Sequence, residues 1–401
     1  MAKKTPAKRT AKAKAKSTPA KKAATGKAVS RADKLRAALA GDQDAVLLSN
    51  QGALWSKPGY YIGSRSIAID RAMGIPGYPA GRMVEIFGPP SSGKTTLVDS
   101  AIAECQARGG LAILIDSEHA RDLGYMQHLG VVLPPDDQDP LEAALHAIEN
   151  DLPIPVIIVQ CRTIEDVIDK ANYWSVAARD IMGPDVPVLL AWDSVAGTPT
   201  NEESAASTAA DKFRASAAKV LKFGMRTTIQ NIAQSQTVFI CTNQPYASMK
   251  AGYGAAERET YGGDGIKFHS SLRIDLLATT KIKARGVADD DWQANPIGQV
   301  VNAKFIKNKM AAPHRRSRFA LIYDETYGRG IDNGWSLWHD SCGKDVTPPP
   351  NAPIKQNGSW YSIDPRFGEF PSWQGKHWGL NELLAENPGL YAQLVAAYMA
   401  M

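Results

Sequence analysis

Residues Gly81–Thr96 read GRMVEIFGPPSSGKTT. The short β-rich run MVEIF breaks into a turn of glycine, proline and serine, and the helix-compatible TTLVDSAIAECQA follows. Gly88–Thr95 satisfies G-x-x-x-x-G-K-[ST] in the strand-to-helix setting that this motif needs. Gly88, Pro89, Pro90, Ser91, Ser92 and Gly93 form the turn, whose glycines let the backbone approach a ligand closely. Backbone N–H groups and the helix N-terminus then face a triphosphate, Lys94 neutralises its charge, the Thr95 hydroxyl is a Mg²⁺ ligand and Thr96 completes the loop. A plain glycine-rich turn is the alternative, and the flanking strand and helix weigh against it.

Such a loop needs acids nearby to hold the metal's water and to orient the attacking water. PVLLAWDS places Asp193 directly after an apolar run, and LAILIDSEHA offers Asp116 and Glu118 after another. Taken singly, an acid at a strand end is more often a helix cap than a catalyst. Its coincidence with the phosphate loop makes Asp193 a metal-linked residue and Glu118 the water-activating candidate.

MVEIF, LAILI, PVIIV, PVLLAW and TVFIC alternate with long helix-compatible stretches, which is the pattern of a parallel sheet covered on both faces. SLRIDLLA, QVVNAKFI and FALIY follow without long helices between them and predict an antiparallel extension. Four segments follow: a Lys/Ala-rich disordered tail over 1–30, an N-terminal helix and linker over 31–59, a core over 60–332, and a small Trp-, Pro- and Gly-rich C-terminal domain over 333–401.

The net charge of +5 hides a division. Residues 1–30 hold ten basic and no acidic residues, and the remainder holds 36 basic against 41 acidic. The tail is expected to act as a basic arm for phosphate backbones, with a solubilising or targeting extension as the rival reading. No apolar run is long enough to cross a membrane, and the tail lacks the apolar segment of a secretory signal. The four cysteines form no CxxC pair, so a zinc knuckle or disulfide framework is not indicated and reduced thiols in a cytoplasmic protein are expected.

GRMVEIFGPPSSGKTTL, LIDSEHARDLGYMQHLGV, AWDSVAGTP, TNQ, GGDGIKFHSSLRID and KNKMAAP, in that order between Tyr60 and Tyr323, closely resemble the motif series of the RecA family of bacterial and phage DNA recombinases. The resemblance implies an α/β RecA-type ATPase core with a mostly parallel central sheet, a short N-terminal helix arm and a small C-terminal α+β domain. By position it makes Glu118 the water-activating glutamate, puts Asp122 and Tyr125 beside the adenine, links Asp193 to Mg²⁺ and makes Gln244 the sensor of the γ-phosphate. The loop after Gln244, with Lys250, Tyr253, Arg258, Tyr261, Gly262 and Gly263, corresponds to a loop that enters DNA. TPTNEESAASTAADKFR corresponds to the other DNA loop with Arg214, although its Glu202 and Glu203 would repel phosphate. Lys307 and Lys309 match lysines that reach the nucleotide of the adjacent subunit, and Phe268 matches a subunit contact.

The resemblance further implies an ATP- and Mg²⁺-dependent recombination and repair protein in the cytoplasm of a bacterial or phage-infected cell. Its partners would be single-stranded DNA, homologous duplex DNA and further copies of itself in a filament; the resemblance also allows a self-cleaving repressor and a single-strand-binding protein as partners. Two rivals are a hexameric RecA-fold motor and a non-catalytic DNA-binding paralogue. GPESSGKTT of the family becomes GPPSSGKTT here, so Pro90 replaces an acid, and the last residues, AAYMAM, carry no acidic run.

Overall fold

Val84 and Ile86 of β1 (Met83–Phe87) enter one hydrophobic cluster while Met83 enters another, and the same alternation runs through the neighbouring strands. In β2 (Leu111–Asp116), Ala112 and Leu114 face the first cluster and Leu111, Ile113 and Ile115 the second. Strands buried on both faces read as continuous apolar runs, which is why these segments show little polar alternation. In the computed structural model the described residues are 30, 32, 34–37, 57–118, 121–205, 214–246, 258–288, 291 and 293–401, with backbone alone for 214–216.

The remaining sheet strands are β3 (Ile157–Gln160), β4 (Val188–Asp193), β5 (Val238–Asn243), β6 (Leu272–Ile282), β7 (Gly298–Asn308), β8 (Arg316–Ile322) and β9 (Gly330–Asp332). Their order across the sheet is β9-β8-β7-β6-β1-β5-β4-β2-β3. From β6 to β3 every neighbour is parallel, and β7, β8 and β9 continue the sheet antiparallel. SLRIDLLA therefore differs from the expectation: it pairs parallel with β1 and only its hairpin to β7 begins the antiparallel part. The reason is local, because the short helix Asp264–His269 precedes β6 and returns the chain to the start of the sheet. One consequence controls the site: β5 lies between β1 and β4, so a residue leaving β1 meets one leaving β4 across the end of β5.

The helix Lys94–Ala107 lays Leu97, Val98, Ala101 and Ile102 on the first cluster. On the opposite face, Ile164–Met182 buries Ile164, Val167, Ile168 and Ala171, a helical spacing. Thr163 and Asp166 close a reciprocal capping box at its start. The C-terminal segment shares a third cluster with β7 and β8, in which Trp335, Trp338 and Trp373 are buried with Ala320 and Ile322. Much of the Trp-rich region is thus core; Trp360, half exposed, is not.

The chain divides into two units, residues 1–53 and 54–401. In the first, residues 34–37 are helical. Among the described residues no helix is long and apolar enough to cross a membrane. All four cysteines are buried free thiols.

Candidate nucleotide-binding site

At the carboxyl end of β1 the chain turns so tightly that a Cβ on Gly88 would lie 2.5 Å from the Leu276 carbonyl oxygen and 2.6 Å from Ser92 Oγ. Gly93 has φ +89°, a conformation L side chains rarely adopt, and hands the chain to the helix that starts at Lys94. Lys94 is folded back into the loop: its ammonium donates to the Gly88 and Pro89 carbonyls at 2.9 Å each. Burial holds its pKa below the ordinary lysine range, against the opposing pull of Asp193 and Glu118. Ser92 Oγ is buried with no hydrogen-bond partner, and Pro90 is exposed on the outside of the turn. A buried hydroxyl lacking a partner beside a cation and a helix N-terminus suits an anionic group.

The Thr95 hydroxyl donates to Asp193 Oδ2 at 3.0 Å, across the end of β5. From β5 itself, Thr242 donates to the other Asp193 oxygen. Glu118 stands exposed at the rim; its N–H donates to Asp116 Oδ1 at 3.1 Å and its carboxylate accepts from the Ser194 hydroxyl. Among the described residues no group of three His, Cys, Asp or Glu is arranged to hold a metal. Thr95 and Asp193 supply hard oxygens of the kind that suit Mg²⁺.

A cleft of about 270 Å³ runs from this point, lined among others by Ser91, Lys94, Thr95, Tyr125, Tyr323 and Arg329. One end is cationic and hydroxylic, and the other is aromatic. Tyr125 shares a 3.1 Å hydrogen bond with Thr96 Oγ1, and the Arg329 guanidinium lies 4.8 Å from its ring centroid. Asp122 caps the helix Leu123–His128 by accepting from the Tyr125 N–H at 3.0 Å, and sits 3.8 Å from Arg329.

Beside the phosphate loop, whose Gly88 N–H donates to the Asn243 carbonyl at 3.4 Å, Gln244 is exposed at the end of β5; its N–H donates to Asn243 Oδ1 and its carbonyl accepts from the Tyr261 N–H. Arg258 is tied to the Asp275 carboxylate by two hydrogen bonds. The Tyr261 hydroxyl donates to Glu203 Oε1 at 3.3 Å, and burial with that carboxylate pushes its pKa up to about 12. Glu203 also accepts from the Thr200 N–H at 2.7 Å, so its charge is turned inward. Gly262 and Gly263 continue the same segment with positive φ. Lys250 and Tyr253 lie outside the described residues, as does the side chain of Arg214, which begins the helix Arg214–Ser235.

Lys307 and Lys309 stand at the other end of the sheet. The Lys309 N–H bonds the Ser271 carbonyl while the Ser271 N–H bonds that of Met83, the first residue of β1, whereas the phosphate loop leaves from the last. The Lys307 ammonium donates to the Lys267 and Phe268 carbonyls, and the Phe268 side chain is 61% exposed beside it. These three residues form one patch remote from the chain's own loop.

Sequence reasoning missed Arg121, which bridges Asp99 and Asp193, and the buried pair Glu85–Arg273. The available signal was a charge set among apolar residues: Glu85 in MVEIF, Asp99 in LVDSAIA and Arg273 between Leu272 and Ile274. Which charges meet depends on strand order and helix rotation, neither of which the one-dimensional pattern contains.

Strand order, the phosphate loop and the acid one strand removed define a P-loop nucleotide-binding α/β protein. The family model for the RecA N-terminal domain matches residues 51–171 and 175–331. Protein RecA of Thermotoga neapolitana is 32% identical over 338 residues, covering 84% of this chain and 83% of the relative. Protein RecA of Porphyromonas gingivalis is 31% identical over 350 residues, 86% of each, and that of Leptospira meyeri 32% over 329 residues, 82% of this chain and 71% of the relative. This chain belongs to the RecA family.

Proposed function

We propose that this chain is an ATP-dependent DNA recombinase that assembles on single-stranded DNA and carries out homologous pairing and strand exchange. The observation that carries the reading is the Thr95–Asp193 contact at 3.0 Å, with Glu118 on the same edge of the sheet. Lys94 binds and neutralises phosphate, Tyr125 offers a ring face to the base, and Glu118 accepts the proton of the attacking water. Thr95 and Asp193 would hold Mg²⁺, which when bound would supply charge stabilisation on the phosphates.

The remote patch of Phe268, Lys307 and Lys309 supports assembly. Cations that cannot serve their own loop suit the nucleotide of a neighbour and make hydrolysis depend on the filament. Tyr261, Gly262 and Gly263, following the segment with Lys250 and Tyr253, form the base of a DNA loop, which Arg258 joins on release from Asp275. The basic tail adds a salt-sensitive contact to phosphate backbones.

A D-loop assay with ATP, single-stranded DNA and supercoiled duplex tests the reading, and joint molecules are expected only with homologous sequence. Closed rings by electron microscopy, with no joint molecules, would instead favour a hexameric motor. DNA binding without ATP turnover would favour a non-catalytic paralogue.

A further inference from the structure

Beside the metal-linked aspartate lies a cation to which the reading above gives no work. The Arg121 guanidinium donates from Nη2 to Asp193 Oδ2 at 2.7 Å and from Nη1 to Asp99 Oδ1. The three side chains are nearly sealed, at 7% exposure for Arg121, 1% for Asp99 and 7% for Asp193. Asp99 projects from the helix that begins with Lys94, so the phosphate-loop helix itself anchors the guanidinium. Arg121 Nε and Asp99 Oδ2 are buried with no hydrogen-bond partner, so the cluster is not a fully satisfied structural bridge.

Asp193 Oδ2 already accepts the Thr95 hydroxyl at 3.0 Å, and Asp193 Oδ1 accepts from Thr242. A carboxylate oxygen has two lone-pair directions, and at Oδ2 one receives Thr95 and the other Arg121. A Mg²⁺ ion, or a water bound to it, that requires Oδ2 must therefore displace one of them. Displacing Thr95 would break the contact that holds its oxygen beside Asp193, where the ion needs it as a ligand, so Arg121 is the partner that yields.

We propose that Arg121 is a built-in counter-cation that competes with Mg²⁺ for Asp193, making it a positioning residue that sets the metal requirement of the nucleotide site. The proposal rests on the nucleotide-binding reading of that site. Arg121 and Asp99 together carry no net charge, yet the pair presents its positive end to Asp193. The strength of the Asp99 contact decides how readily the guanidinium yields. A tighter hold on Arg121 by Asp99 eases metal entry, and a weaker hold leaves more of the positive charge on Asp193.

The test is a Mg²⁺ titration of the full chain with a fluorescent non-hydrolysable ATP analogue, read as the metal concentration at half-maximal binding. The paired substitution Asp99→Leu with Arg121→Leu removes the ion pair without leaving an orphan charge, an exchange that buried pairs often tolerate. Its Mg²⁺ midpoint is expected to fall by about tenfold, the size of one charge-assisted hydrogen bond, with metal-free analogue affinity within about threefold of the unsubstituted chain. Asp99→Asn alone shifts the midpoint the other way, upward by about threefold or more, because Arg121 then answers to Asp193 alone. If the paired variant does not fold, the upward shift in Asp99→Asn carries the test.

A midpoint that is unchanged in both variants overturns the proposal. So does a loss of metal-free affinity of about tenfold or more in the paired variant, which would assign Arg121 to the phosphates. An unsubstituted chain that binds no analogue at any Mg²⁺ concentration overturns the nucleotide reading itself, and this proposal with it.

Discussion

Glu85 on β1 and Arg273 on β6 are register partners in neighbouring parallel strands, and their side chains pair at 0% and 3% exposure. The other carboxylate oxygen accepts from Asn243 Nδ2 at 2.9 Å, and Arg273 also donates to Thr260 Oγ1 at 3.2 Å. Asn243 in turn bonds the Tyr261 carbonyl. The network links the centre of the phosphate-loop strand to both ends of the segment that follows Gln244.

Breaking such a pair from one side leaves a buried charge without its partner. Arg273→Met is expected to lower unfolding stability by about 3–5 kcal/mol, and adding Glu85→Leu should restore most of it. Denaturant midpoints of the two variants and the unsubstituted chain measure this. A single variant that melts with the unsubstituted chain would show that water relieves Glu85.

Glu118 touches the sheet through Ser194 and Asp116 but lies at the rim, so replacing it leaves the cleft standing. Glu118→Gln keeps the shape and removes the proton acceptor. DNA-stimulated ATP hydrolysis should drop by about 10²–10⁴-fold while nucleotide affinity stays near that of the unsubstituted chain. Single-turnover hydrolysis alongside equilibrium binding separates the two. Equal loss in both would move Glu118 from the chemical step to binding.

How far the sequence discloses the site follows from which residues are local. Gly88, Gly93, Lys94 and Thr95 sit within one turn, and their spacing alone prescribes a phosphate cradle. Asp193 is legible as an acid at a strand end, yet its position opposite Thr95 requires β5 to lie between β1 and β4, which no run of residues states. Arg121 was hidden for the same reason: it joins Asp99 and Asp193 from three separate segments. The apolar runs disclosed the inner parallel strands well because both of their faces are buried, and the edge strand β3 reads as apolar although Ile158 faces outward. They disclosed less about β6, where one strand is parallel on one side and antiparallel on the other.

Tyr125 presents its ring to the cleft, with Arg329 over it and Tyr323 on the same lining. Tyr125→Ala should therefore weaken ATP while sparing inorganic tripolyphosphate, which has no base. The expected loss for ATP is about 1–3 kcal/mol, the size of one base–aromatic stack. Competition of each ligand against a fluorescent analogue measures the contrast. Parallel losses would mean that the substitution disturbs Thr96 and the phosphate loop rather than the base.

Lys307 titrates where lysines seldom do. Burial, then the like charges of Lys309 and Arg273, push its pKa down to about 8, with Lys267 adding to the shift and Glu85 opposing it. The unfolded chain keeps the ordinary lysine value of about 10.4, so between about 8 and 10.4 the unfolded state holds a proton that the folded state has released. Stability contributed by this group therefore rises with pH through that window, and below it the half-buried ammonium opposes folding by a constant amount. Denaturant midpoints taken from about pH 7 to 10 should rise for the unsubstituted chain relative to Lys307→Met. Hydrolysis that depends on subunit assembly should move oppositely, declining at alkaline pH as the ammonium loses its charge, and later than in the free chain because a neighbour's phosphates favour the charged form, with Lys307→Arg flattening the decline. Midpoints that track together for both chains across the window would remove Lys307 as the titrating group.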